Sequence, residues 1–256
     1  MNAAEMDATI RRALPALAGE LQMIMASVPG WAAADGASGV RAGDLQRALC
    51  NSLQAQLGSV ACIEGALPAG VKECWAGWLG RVDVLAKPED GVEAYFETQL
   101  CGAEKLYESL WDALKLALFT ALHESVSGYL IYAAPETGWT REGQHPDVIF
   151  DGETIGVAEL LHARYPDLWT ACLRGTRTTR PVSLPFEVRT ERIADAVIRA
   201  PAVDWEVRCV RVQGDGSYGW TTFDGDGWPV LAEAPQAPEA AEPGEEPEPA
   251  EATEPA

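Results

Sequence analysis

Two short strand-like segments, each carrying an acidic residue, constrain the fold of this chain more than any other feature of its sequence. The first segment, residues 79–86, places Asp83 between Val82 and Val84. Successive side chains of a β-strand point to opposite faces, so the carboxylate is expected on one face and the valines on the other. Asp83 is therefore directed to one side of a sheet rather than merely exposed.

The second segment, residues 92–100, alternates in the same way and follows the turn-like residues 87–91. A period of two assigns its side chains to two faces. These are Glu93, Tyr95, Glu97 and Gln99 on one side and Ala94, Phe96, Thr98 and Leu100 on the other. Because only five residues join the two segments, we expect them to pair as an antiparallel hairpin.

Hydrophobic periodicity predicts the elements around this hairpin. In chain order they are a helix over 5–27 that contains Pro15, a helix over 40–58, a strand over 59–66, the two acidic strands, a helix over 103–124 and a strand over 127–134. The last strand is apolar throughout, as expected for a buried strand that runs parallel to its predecessor across a helix. The predicted fold class is α/β, and the long helix is expected to lie on the sheet.

The order of helix, three strands, helix and strand, with an acid on one core strand and Glu-x-Gln on the next, resembles the PD-(D/E)xK superfamily. The resemblance covers roughly residues 41–135 and implies a restriction-endonuclease-like mixed central sheet flanked by helices. It implies that Asp83 and Glu97 bind Mg²⁺ or Mn²⁺. Gln99 would then occupy the position of a lysine that orients or activates the attacking water. The activity implied is metal-dependent phosphodiester hydrolysis, in particular that of a nuclease.

A neutral Gln99 cannot supply the positive charge of a lysine. Some members of the superfamily recruit a lysine from the following helix, and Lys105 is the candidate here; the alternative is a solvated helix residue. An additional acid from the first core helix is common in the superfamily. Asp44 is the only carboxylate in that helix, and Glu64 and Glu20 are weaker alternatives.

Charge argues against a general attraction to nucleic acid. The chain carries a formal charge of −20, and eight glutamates with no basic residue fall between 233 and 256, which leaves −12 for the body. A nucleic-acid partner therefore needs a local basic surface, and a protein partner is the alternative. The best candidates for such a surface, which could equally be a solvated loop, are Arg164, Arg174, Arg177, Arg180, Arg189 and Arg192, with Thr176, Thr178, Thr179, Tyr165 and Trp169.

The remaining chain suggests three segments: an N-terminal core over 1–135, a C-terminal elaboration over 136–230 packed on it, and a disordered acidic tail over 231–256. Within the elaboration we expect a helix inside 155–173 and antiparallel strands near 186–189, 205–212 and 218–223. In the 205–212 strand, Glu206, Arg208 and Arg211 are expected to face outward.

Several other site types are not expected. The six cysteines show no CxxC pair, and the three histidines, His123, His145 and His162, have no recognisable nucleophile setting. Pro146-Asp147 follows the core instead of lying within it, and Gly214-Asp215-Gly216 and 224–227 lack the spacing of calcium loops. With no signal peptide or membrane span, we expect a soluble cytoplasmic protein with no membrane partner.

Three hypotheses follow from the sequence. The chain is a metal-dependent nuclease, a nuclease-like scaffold that has lost catalysis and acts as a binding or regulatory protein, or an α/β interaction protein whose hairpin acids face solvent.

Overall fold

The fold is seen in a computed structural model that describes residues 1–27, 42–57, 60–68, 81–100, 106–135, 152, 154–157, 183–199, 204–215, 218–223 and 229–233. Its helices are α1 (Ala3–Ser27), α2 (Ala42–Leu57) and α3 (Leu106–Leu122). Its strands are β1 (Val60–Gly65), β2 (Val82–Lys87), β3 (Glu93–Leu100), β4 (Val126–Pro135), β5 (Thr154–Gly156), β6 (Ser183–Pro185), β7 (Glu187–Ile198), β8 (Trp205–Gly214), β9 (Tyr218–Phe223) and β10 (Pro229–Glu233).

Seven of these strands form one mixed sheet in the order β1-β2-β3-β4-β8-β7-β5. Only β3 and β4 pair in parallel among the described strands, and the other neighbours are antiparallel. The predicted α/β class, the antiparallel hairpin and the parallel step across a helix are therefore confirmed. Strand β4 lies in the middle of the sheet and is buried along its whole length, as its apolar sequence predicts.

Helices cover both faces of the sheet. On one face, α1 and α2 pack over an apolar layer that includes Phe96, Tyr129 and Trp205. The predicted stripe of α1 is buried from Ile10 to Leu21, and Pro15 lies inside the helix. On the other face, α3 packs against β3, β4 and β8 over a second apolar layer. The helix predicted over 103–124 does lie on the sheet.

The C-terminal strands extend the same sheet. Strand β8 pairs with β4 over eight residues, and β7 pairs with β8, so the predicted 136–230 elaboration and the predicted core share one sheet. A second sheet, β10-β9-β6, holds the rest of the described C-terminal strands, and its β6 contacts α3. Strand β10 continues to Glu233, three residues into the predicted 231–256 tail; the residues beyond lie outside the described ranges.

One local expectation lies mostly outside the described ranges and another needs correction. Of the span 155–173 expected to include a helix, Ile155 and Gly156 lie in β5, and residues 158–173 are not described. Arg211, expected to face outward, turns under α1, where its Nη1 donates to Asp7 Oδ2 at 2.6 Å. Asp7 also accepts from the Tyr129 hydroxyl at 2.9 Å, so this buried carboxylate ties α1 to two strands.

None of the described helices is both long enough and apolar enough to cross a bilayer.

Candidate active site

The two acidic strands separate where their acids lie. The ladder between β2 and β3 runs through Ala86↔Ala94 and Leu85↔Tyr95 and ends at Val84↔Phe96. Strand β2 nevertheless begins two residues earlier, and β3 continues for four residues past this last pair. Backbone groups beyond the last pair need other partners. This split places polar side chains at the end of the hairpin, over the face that α3 covers.

Asp83, on β2, bridges to β3 beyond the last ladder pair. Its Oδ2 accepts two hydrogen bonds from Thr98, one from the backbone N–H at 2.8 Å and one from the hydroxyl at 2.7 Å. The carboxylate thus satisfies a backbone donor that the shortened ladder leaves unpaired. These two contacts anchor Oδ2, and no described residue donates to the second oxygen, Oδ1.

Glu97, on β3, forms a buried ion pair with Lys115 of α3. The two side chains are 4 % and 7 % exposed, and Lys115 Nζ lies 2.5 Å from Glu97 Oε1. Buried charges of this kind are tolerated only when paired. Among the described residues, none donates to Glu97 Oε2.

Asp112, one helical turn before Lys115, joins the pair to Gln99. Its Oδ1 lies 3.7 Å from Lys115 Nζ, and its Oδ2 accepts from Gln99 Nε2 at 2.8 Å. Asp112 is itself buried. The three residues therefore connect α3 to the end of β3 through one carboxylate.

Burial and neighbouring charges shift the pKa values of the ion pair. Burial raises the pKa of Glu97 well above its usual value; Lys115 opposes this rise, and the Asp112 and Asp83 carboxylates add to it. Burial alone would lower the pKa of Lys115, but the carboxylates around it outweigh that effect and raise it. Lys115 thus stays protonated at neutral pH, and Glu97 takes up a proton at a higher pH than an exposed glutamate does.

The charge of the cluster fits a divalent cation. Three carboxylates and one ammonium group sum to −2 when all are ionised, and Asp83 Oδ1 and Glu97 Oε2 remain as oxygen donors. Among the described residues, no group of three or more His, Cys, Asp or Glu side chains is arranged to hold a metal ion. Mg²⁺ needs no such group, because it is commonly held by one or two carboxylates and keeps several waters.

The structure brings three of the four predicted site residues together. Asp83, Glu97 and Gln99 lie at the split. The expectation that Val82 and Val84 share one face of β2 is wrong, because Val82 packs in the layer under α3 and Val84 in the opposite layer. Lys105 lies outside the described residues. Lys115, a lysine of the same helix, instead occupies the place beside Glu97.

The apolar stripe of α3 does not include Lys115 and Asp112, so the helical period gives no reason to expect either side chain in the core. The helix is buried nearly all around from Ser109 to Phe119, so side chains outside the stripe are buried too. A helix that is apolar on all sides is a buried helix. Opposite charges at positions i and i+3 within such a helix are the signal for a buried ionic cluster.

The alternative acids are engaged elsewhere or cannot be placed. Asp44 lies 3.5 Å from Arg47 at the start of α2, and Glu20 accepts from Asn51 at 2.9 Å on the surface. The side chain of Glu64 is not described.

The predicted basic surface is only partly described. Arg189 is exposed on β7, while Arg192 is paired with Glu206 at 2.8 Å and with Asp195 at 3.5 Å. The rest of that surface, together with His145, His162, Pro146-Asp147 and 224–227, lies outside the described residues. His123 directly follows α3.

Comparison with known proteins assigns the chain to no family. No family model matches the chain, and neither curated proteins nor solved structures gave a significant match.

Proposed function

We propose that this chain is a divalent-metal-dependent phosphodiester hydrolase, a nuclease of the PD-(D/E)xK type, with its site at the split between β2 and β3. The observation that carries the proposal is the buried Glu97–Lys115 pair beside Asp83, at the point where the two strands separate. An acid on each of two strands and a lysine against the second acid is the set of groups that this chemistry needs. Lys115 would supply the positive charge of the superfamily's lysine, which the neutral Gln99 cannot supply.

Asp83 and Glu97 would hold the cation, through Asp83 Oδ1 and Glu97 Oε2, in a cluster whose charge of −2 it would neutralise. When bound, a Mg²⁺ or Mn²⁺ ion supplies electrostatic stabilisation of a phosphoryl oxygen and activates a water.

The chain's own residues prepare this site. Thr98 holds the Asp83 carboxylate in one orientation, so the donor oxygen is already placed. Lys115 keeps its proton in a low-dielectric position, where a fixed positive charge stabilises developing negative charge more strongly than it would in water. Preorganised groups of this kind lose little energy to rearrangement during the reaction.

The acidic body limits which phosphodiesters the site would take. Long polyanions gain affinity from many lysine and arginine contacts, and a body near −12 opposes this. We therefore expect weak, salt-sensitive binding of nucleic acid, with substrate reaching the split through local contacts.

A second candidate function follows from the burial of the cluster. Glu97, Lys115 and Asp112 are all buried, and the Lys115 ammonium group lies beside both carboxylates, a contact that the folded protein makes without any ligand. On this account the chain is a nuclease-like scaffold that binds a protein partner. It differs from the first in requiring no cation.

Hydrolysis of single-stranded DNA, double-stranded DNA and RNA, each with Mg²⁺, Mn²⁺ or EDTA, separates the two. We expect metal-dependent cleavage by the wild type and its loss, by a factor of about 100 or more, in Asp83→Asn and Glu97→Gln. The control is Asp195→Asn, which neutralises an exposed acid on β7 and should cleave like the wild type. Folded wild-type protein that cleaves nothing under any of these conditions would favour the scaffold.

A further inference from the structure

We propose that Gln99 is the third oxygen donor of the candidate cation site, with its side-chain carbonyl oxygen as the ligand atom and Asp112 as the residue that turns it to that role. The inference rests on the proposed metal-dependent function and adds a ligand to the same site. Gln99 then contributes to cation binding instead of filling in for a missing lysine.

The orientation of the Gln99 amide follows from the chemistry of its partner. Its Nε2 lies 2.8 Å from Asp112 Oδ2. An ionised carboxylate only accepts hydrogen bonds, so the amide nitrogen, and not its oxygen, must face Asp112. The carbonyl oxygen Oε1 belongs to the same planar group and is therefore directed away from Asp112. Among the described residues, none donates a hydrogen bond to it.

The position of Gln99 on β3 places it beside the acidic donors. It lies two residues after Glu97, on the same face of the strand and past the last ladder pair with β2. Residues at this spacing are about 7 Å apart along a strand, within reach of one shared ion when side chains converge. A side-chain carbonyl is an accepted ligand type for hard cations.

The neutral charge of Gln99 also suits the site. The acids and Lys115 already sum to −2, so a neutral donor leaves a charge that one divalent ion cancels. A glutamate at this position would raise the negative charge to −3 and would face the Asp112 carboxylate directly. A lysine would reduce it to −1. The amide adds a ligand without disturbing the balance.

Asp112 is the positioning residue of this arrangement. One of its oxygens holds the amide of Gln99, and the other lies 3.7 Å from Lys115 Nζ, so a single buried carboxylate sets the orientation of both side chains. Removing its charge frees the Gln99 amide to rotate and exchange its oxygen for its nitrogen. Partners of this kind behind a ligand commonly change metal affinity by about 10–100-fold.

The test combines Mg²⁺ calorimetry with NMR of the glutamine side-chain amides in the full chain. The variants are Gln99→Met, which keeps the length and removes the oxygen, and Asp112→Asn. The control is Gln22→Met, the same change on the exposed surface of α1. The Gln99 amide signals are assigned by their disappearance in Gln99→Met.

We expect Gln99→Met and Asp112→Asn each to weaken Mg²⁺ binding by about tenfold or more. Gln22→Met should bind like the wild type. The Gln99 amide signals should shift when Mg²⁺ is added to the wild type, a response that a purely structural glutamine would not give.

Two outcomes would overturn the inference, and they differ in what they leave standing. If the wild type binds Mg²⁺ and Asp83→Asn abolishes binding, while Gln99→Met binds normally and the amide signals do not move, the Gln99 assignment is wrong and the proposed function survives. If the folded wild type binds no Mg²⁺ or Mn²⁺, the assignment and the proposed function both fail.

Discussion

Replacing Lys115 with methionine removes the one ammonium group that faces Glu97 among the described residues. Methionine fills a similar volume without a charge, so the main effect is on the partner it leaves behind. Breaking a buried ion pair by removing one member typically costs about 3–5 kcal/mol, because the remaining charge is uncompensated. Glu97 meets this condition because its side chain is buried.

The size of the loss should depend on pH. Burial already raises the pKa of Glu97 in the folded protein, and removing Lys115 raises it further, because Lys115 is what lowers it. A folded-state pKa above the unfolded value gives stability that is complete below the unfolded value and lost as pH rises toward the folded one. The loss relative to wild type is therefore smallest at low pH, where Glu97 is protonated in both proteins, and grows toward about 3–5 kcal/mol as the pH rises and Glu97 ionises. Its slope cannot exceed about 1.4 kcal/mol per pH unit for one proton.

Urea unfolding followed by circular dichroism at pH 5, 6.5 and 8 measures this dependence. The control is Lys87→Met, which breaks a half-exposed pair with Glu93 and should cost about 0.2–1 kcal/mol at each pH. Adding Glu97→Gln to Lys115→Met should remove the pH dependence. A loss below about 1 kcal/mol at pH 8, or one equal at pH 5 and pH 8, would refute the buried ion pair.

Two further changes test the packing around the site by the same unfolding assay. Thr98→Val removes the hydroxyl that donates to Asp83 and leaves the backbone donor, so we expect a loss of about 1 kcal/mol; no loss would contradict a role for that hydroxyl. Gly214→Ala would place a Cβ 2.4 Å from the Ala117 carbonyl oxygen, where α3 approaches β8, and should cost about 1–3 kcal/mol. The matched change Gly19→Ala, in α1 with nothing within 4 Å, should instead stabilise by about 0.5–1 kcal/mol, and equal effects at the two glycines would contradict this packing.

The hairpin could be read from the sequence because its information is local. A period of two in residues 92–100 assigns each side chain to a face, and the structure places Tyr95 in the layer under α3 and Phe96 in the opposite layer. A five-residue connection then leaves antiparallel pairing as the simplest solution. The same local reasoning placed Asp83 and Glu97 on neighbouring strands.

The site residues on α3 and the full length of β7 depend on tertiary contacts, which a local sequence pattern does not contain. Which faces of α3 are buried depends on the elements around it, so the burial of Lys115 and Asp112 cannot be inferred from the pattern of the helix alone. Strand β7 runs for twelve residues, although only 186–189 was predicted. A register shift between Arg192 and Ala194 interrupts the alternation of buried and exposed side chains, so the sequence pattern does not predict the second half of the strand.

Arg211 shows the same limit. An arginine in an alternating strand is expected at the surface, but here a buried carboxylate of α1, Asp7, accepts its hydrogen bond across 204 positions of sequence. A pairing at that separation cannot be inferred from the strand itself.

Calorimetric titration of Mg²⁺ and Mn²⁺ into the full chain, with Asp83→Asn/Glu97→Gln as the comparison, shows whether the acids at the split bind a cation. We expect the wild type to bind one cation per chain, more tightly at pH 8 than at pH 6 because Glu97 must release its proton, and the double variant to bind none. Binding that the double variant retains would place the cation elsewhere and contradict the site. A folded wild type that binds neither ion would contradict metal-dependent hydrolysis itself.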